Sequence, residues 1–213
     1  MRISFGTHCG RFQTKIVLAL FLLVLAAPPA RPAEGTAGQI LGGTLDAPVR
    51  IEVFSDFECP SCRSLYLDVM RRVLVEYSSQ NKVCLIYHEF PLNIHQYSWP
   101  AARYAEAAAR LGRDQLLKVY DTLFMDQAYW SENGNLEASV SKALTRAEMQ
   151  KLKKIMQDPG IDAAVQKGVQ LATQNRIKST PTWYIFSGQR LLQKVESRLT
   201  YVALKQYLDS ILK

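Results

Sequence analysis

The motif Cys59-Pro60-Ser61-Cys62 constrains this chain more than any other stretch, because of what flanks it. Before it runs the apolar, β-branched segment 49–54 (Val-Arg-Ile-Glu-Val-Phe). After it, residues 63–77 carry Leu65, Val69, Val73 and Tyr77 at i, i+4 spacing, with Arg71 and Arg72 off that stripe. A strand therefore feeds directly into a helix that packs one face on a sheet. A C-x-x-C at such a junction puts Cys59 at the helix N-terminus, where free N–H groups and the positive end of the macrodipole favour a thiolate. Cys62 falls in the first turn, close enough to attack a mixed disulfide formed on Cys59. The pair reads as a redox-active disulfide, with Cys59 as nucleophile and Cys62 as the resolving thiol.

The rest of the chain extends this unit. Residues 82–90 form a second strand stopped by Pro91, which makes a βαβ unit with parallel strands and a right-handed connection. The middle is helical. Ser98-Trp99-Pro100 opens an Ala-rich helix that Gly112 ends, and residues 114–125 form another before the turn at Asn133-Gly134. Thr145 and Glu148 have the spacing of a capping box for a helix that stops at Asp158-Pro159-Gly160, and 161–175 is a further helix. Strands 182–186 and 190–195 flank Ser187-Gly188-Gln189 as a hairpin, and Thr200 caps a last helix to Leu212. The order is α/β: a thioredoxin-like fold with an inserted helical subdomain at about 97–176.

The N-terminus points to export. Arg2, Arg11 and Lys15 precede an apolar run of 12 residues, 16–27, followed by Pro28-Pro29-Ala30-Arg31-Pro32-Ala33. That run is short of the roughly 20 residues needed to span a bilayer, so residues 1–33 read as a signal peptide, with an uncleaved anchor as the alternative. Residues 34–47, rich in Gly and small side chains, read as a lead-in, and the domain as 48–213. Removing 1–33 takes four basic and no acidic residues, so a net charge of +7 becomes +3 and gives no case for nucleic acid. Cys9 leaves with the leader. The odd count that remains, Cys59, Cys62 and Cys84, suits one functional pair plus a free thiol rather than a multi-bridge scaffold.

Other chemistry is thinner. A tetrahedral metal site needs four ligands, yet there is no second C-x-x-C, and His88 and His95 are the remaining histidines of the mature chain. No metal or cofactor is expected, although a copper chaperone-like module using the two thiolates is the alternative from another class. Glu52, on the strand before the motif, is a candidate buried acid for the proton of Cys62, with Asp56, or a merely solvated strand face, as the rival readings. Cys84 sits in an apolar strand and reads as core. His88, His95, Trp99, Trp130 and Trp183 read as structural groups, and residues 151–154 as a solvated helix face.

Phe54-Ser55-Asp56-Phe57-Glu58-Cys59-Pro60-Ser61-Cys62, Glu89-Phe90-Pro91-Leu92, His95 before an Ala-rich helix, and Ser179-Thr180-Pro181-Thr182 resemble the DsbA-like thiol:disulfide oxidoreductases. The resemblance spans nearly the whole mature chain and looks closest to the single-domain branch with BdbD-like and DsbG-annotated relatives. It implies a cis peptide at Thr180-Pro181 facing the cysteines, with both residues binding substrate peptide. Pro60 and Ser61, between the cysteines, tune how far the thiolate is stabilised; strongly oxidising members of the family often carry Pro-His, where this chain has Pro-Ser. The resemblance further implies a monomeric periplasmic or extracytoplasmic dithiol oxidase acting on cysteine-containing exported proteins. Reoxidation would fall to a membrane quinone-linked partner, DsbB-like or vitamin K epoxide reductase-like (VKOR-like). A reductase or isomerase of the same fold is the alternative, and residues 34–47 are too short to supply an isomerase's added dimerisation domain. A peptide-binding, chaperone-like domain with a merely structural disulfide is a further rival.

Overall fold

The computed structural model describes residues 1–2, 38–196 and 199–213. The chain divides into two units, Met1–Ala33 and Glu34–Lys213, and every element below belongs to the second. The leader expected at 1–33, with its cleavage or anchoring, lies outside the described residues. Among those residues no helix is long and apolar enough to cross a membrane.

Strands β1 (Gln39–Gly42), β2 (Val49–Ser55), β3 (Val83–Glu89), β4 (Thr182–Ser187) and β5 (Arg190–Val195) form one sheet in the order β1-β3-β2-β4-β5. Only β2 and β3 run parallel, and every other pairing is antiparallel. β2 alternates: Val49, Ile51 and Val53 enter the main core, while Arg50 and Glu52 lie half-buried on the other face. β3 is buried at every position, as a strand covered on both faces must be.

Between β2 and β3 run α1 (Pro60–Leu65), a π-helical turn (Tyr66–Met70) and α2 (Arg71–Glu76). The stripe Leu65, Val69, Val73 and Tyr77 is buried, and the π turn brings Tyr66 and Met70 into the core beside it. Six helices fill the insertion between β3 and β4: α3 (Ser98–Ala109), α4 (Arg113–Met125), α5 (Gln127–Asn133), α6 (Leu136–Val140), α7 (Arg146–Ile155) and α8 (Gly160–Gln174). The capping box of Thr145 and Glu148 opens α7. α8 lies so close to β3 that a Cβ on Gly168 would come within 2.2 Å of the Glu89 carbonyl oxygen. α9 (Tyr201–Ile211) closes the chain, its N-terminus capped by Thr200.

The fold differs from the sequence reading at residues 34–47. This segment is more than a lead-in, because it supplies β1, an edge strand paired antiparallel to β3. Four residues, Gln-Ile-Leu-Gly, carry no usable periodicity, and their extended form comes from pairing with β3. Gly42 allows the close packing that follows, since a Cβ there would sit 2.6 Å from Leu74 Cδ2.

Candidate active site

The two cysteines sit where the C-terminal end of β2 turns into α1. Cys59 is the N-cap residue in extended conformation (φ −73°, ψ 120°), and Pro60 opens the helix, where its missing N–H is no loss. The Cys59 carbonyl accepts from Arg63 N at 3.1 Å, which locks the first turn. Cys62, one turn in, is fully buried against the sheet, whereas Cys59 keeps 7% of its surface exposed. Both are free thiols in this structure. From the other side comes the loop before β4: the Thr180–Pro181 peptide is cis, and the Cys59 thiol donates to the Thr180 carbonyl oxygen at 3.5 Å.

This placement splits the two thiols chemically. The Cys59 pKa is lowered from 9.0 to about 6, chiefly because the Cys62 thiol donates to its thiolate. The Thr180 side chain and the backbone N–H groups of Cys62 and Ser61 contribute further, against the opposing effect of burial. Cys62 moves the other way. Burial pushes its pKa well above 9.0, and the neighbouring Cys59 thiolate adds to that. At neutral pH Cys59 is therefore a thiolate and Cys62 a thiol.

The split has a consequence for stability. Between pH about 6 and 9 the unfolded chain holds a proton on Cys59 that the folded dithiol has released, so stability of the reduced form rises with pH across that window. It is lost as the pH falls through the folded value. Above 9 the raised pKa of Cys62 reverses the slope. Thiolate absorbance of the reduced protein is expected to titrate with a midpoint near pH 6, in parallel with the Cys59 alkylation rate. A midpoint near 9.0 would overturn this account of the site.

Glu52 is not part of this constellation. Strand alternation puts it on the sheet face opposite the cysteines, where its carboxylate takes Arg50 Nε at 2.6 Å and faces His88 Nε2 at 3.1 Å. Burial opposes ionisation there, but His88 and Arg50 outweigh it and hold the pKa below the usual carboxylate value. Redox tuning by Glu52 as the proton acceptor of Cys62 is therefore withdrawn: it is an ion-paired anion on the wrong face. Cys84 also lies on that face, fully buried with Ala47 and Ile86, and its pKa is raised by burial.

The side chain that organises the motif is Asp56. Its carboxylate is completely buried and accepts from Glu58 N (2.7 Å), Leu92 N (2.7 Å), His95 Nδ1 (2.8 Å) and the Ser98 hydroxyl. Its carbonyl takes Cys59 N at 3.2 Å, and its own N–H points at Cys62 Sγ at 3.5 Å. One residue thus ties the cysteine loop to the loop after β3 and to α3. From the insertion, Gln127 Nε2 donates to the carbonyls of Phe57 (2.6 Å) and Cys59 (3.1 Å), and the Phe124 carbonyl takes Arg63 Nε at 2.9 Å. Gln127 has no signal in the sequence, because its partners lie 70 and 68 residues away.

Beside the cysteines opens a cavity of about 410 Å³. Ser61 and Pro181 border it at the motif, Leu65 and Val69 form one wall, and Tyr201 and Val202 of α9 form the other. The Arg72 guanidinium stacks 3.8 Å from the Tyr201 ring centroid and adds a cation to the far wall. Among the described residues no group of three or more His, Cys, Asp or Glu side chains could hold a metal ion.

A parallel strand pair with a thiol pair at its helix junction, one thiol activated and one buried, defines a thiol:disulfide oxidoreductase of thioredoxin fold. The chain belongs to the thioredoxin family, in its DsbA-like branch; the family's sequence model, described as thioredoxin, matches residues 36–210. It is 29% identical over 147 residues to the probable disulfide bond formation protein D of Bacillus cereus, covering 67% of this chain and 68% of that one. Among solved structures, DsbA2 of Pseudomonas aeruginosa is 25% identical with a TM-score of 0.64, covering 80% of this chain and 92% of that one. Alpha-DsbA1 of Wolbachia pipientis has a TM-score of 0.69 at 15% identity, covering 85% and 92%, a likeness of fold.

Proposed function

We propose that Cys59 and Cys62 form the redox pair of an exported dithiol oxidase that introduces disulfides into cysteine-containing exported proteins. The observation that carries this is the low pKa of Cys59. A stabilised thiolate favours the reduced protein and makes its disulfide a better oxidant. A substrate thiolate attacks Cys59 Sγ, the Cys59–Cys62 bond breaks, and its electron pair leaves on Cys62. A second substrate thiolate then attacks the substrate sulfur of the mixed disulfide and expels Cys59 as thiolate. The substrate departs oxidised, and both electrons stay on the protein.

Pro60 and Ser61 set how many helix N–H groups reach the Cys59 sulfur, and so tune the pair. Thr180 and Pro181 hold an extended substrate beside Cys59, with the neighbouring apolar cavity taking its side chains. The curated relative's name, disulfide bond formation protein D, agrees with the oxidising direction. In a periplasmic or extracytoplasmic setting the reduced protein passes its electrons to a membrane quinone-linked partner, DsbB-like or VKOR-like, and needs no bound cofactor of its own.

The deciding experiment is equilibration of the Cys84→Ser protein with a glutathione redox series. The expected result is a potential well above that of the glutathione couple. A potential at or below that of thioredoxin, about −270 mV, would make the protein a reductase and end the oxidase reading.

A further inference from the structure

Ser55 is the last residue of β2, and strand alternation places it with Val49, Ile51 and Val53 on the face that holds Cys62. The sheet fixes its backbone, because the Ser55 carbonyl accepts from Phe90 N at 2.8 Å. Its side chain is 3% exposed, and its hydroxyl has no hydrogen-bond partner among the described residues. Buried hydroxyls are nearly always paired, so this one calls for an explanation. The next residue's N–H, that of Asp56, points at Cys62 Sγ at 3.5 Å, which brings the Ser55 side chain to the neighbourhood of the same sulfur. Burial pushes the Cys62 pKa up, and the Asp56 N–H and the Ser55 hydroxyl draw it back. One donor already points at this buried sulfur, and an unpartnered hydroxyl lies beside it. A neutral thiol gains little from them, whereas a thiolate, cut off from water, gains a great deal.

We propose that Ser55 is a catalytic residue whose hydroxyl, with the Asp56 N–H, receives the negative charge that arrives on Cys62 Sγ when the disulfide opens. The inference rests on the exchange reaction proposed above and assigns a group to its leaving thiolate. As the incoming thiolate bonds to Cys59 Sγ and the Cys59–Cys62 bond breaks, the electron pair moves to Cys62 Sγ. The Ser55 hydroxyl turns to donate to it and keeps its own proton. In the stable disulfide and dithiol states Cys62 carries no charge, and the hydroxyl is idle. Ser55 thus lowers the barrier in both directions and leaves the equilibrium alone, as a donor aimed at developing charge does.

The test is single-turnover opening of the disulfide by dithiothreitol in the full chain carrying Cys84→Ser, compared with Ser55→Ala and Ser55→Thr in the same background. Ser55→Ala is expected to slow opening roughly tenfold. Its equilibrium constant against glutathione should change less than about twofold, since neither end state is touched. Ser55→Thr, which keeps the hydroxyl, should recover most of the rate. An unchanged rate in Ser55→Ala overturns the assignment, and so does a rate, equilibrium constant and thermal midpoint that fall together, which marks a structural role. If the parent disulfide itself resists dithiothreitol, the exchange reading fails first and takes the role of Ser55 with it.

Discussion

Cys62→Ser accumulates as a covalent mixed disulfide between Cys59 and its partner proteins, while Cys59→Ser forms none and loses exchange activity altogether. The expected loss in each variant is on the order of a thousandfold or more, because no other group can replace the missing sulfur. Cys59 with a pKa of about 6 is mostly thiolate at neutral pH, so it attacks a disulfide without help from a base. Resolution then falls to Cys62, which is fully buried in the first turn of α1 and adjacent to Cys59. A hydroxyl fits the space of that thiol but cannot displace a sulfur, so the adduct persists. Non-reducing electrophoresis and intact mass on protein recovered from the host compartment read the outcome directly. Equal adduct yields in the two variants, or exchange activity surviving in Cys59→Ser, would show that the nucleophile is elsewhere.

Much of this site was legible because its reactive part is local. Strand, C-x-x-C and helix stripe lie in consecutive residues, and period and spacing are enough to place Cys59 at a helix N-terminus. The helical insertion was legible for the same reason, through Gly112, the Thr145–Glu148 capping box and the Pro159 break. What escaped is non-local. β1 is a strand only because β3 lies beside it, and Gln127 matters only because the fold returns it to the motif. The misassigned acid is more instructive, since alternation on β2 could have excluded it. If Val49, Ile51 and Val53 point to the core, then Ser55 shares the face of the cysteines and Glu52 does not. Chemical type favours the carboxylate, whereas the strand's period favours the smaller hydroxyl.

Asp56→Ala should lower the stability of both redox forms by about 3–5 kcal/mol, the largest loss expected from any single change outside the apolar core. Four donors from three segments meet on this completely buried carboxylate and lose their shared acceptor once it is gone. Asp56→Asn keeps the shape but points an amide N–H₂ at groups that are themselves donors, so it should recover only part of the loss. Because the carboxylate braces the loop without touching either sulfur, the disulfide and dithiol forms should lose stability about equally. That separates Asp56 from Cys59, whose thiolate stabilises only the reduced form and only in a pH-dependent way. Urea unfolding of both variants, each oxidised and reduced at one pH, makes the comparison. A loss under about 1 kcal/mol would mean that the four hydrogen bonds are replaceable. A loss confined to the reduced form would mean instead that Asp56 acts on the thiols themselves, restoring it as the acid that serves Cys62.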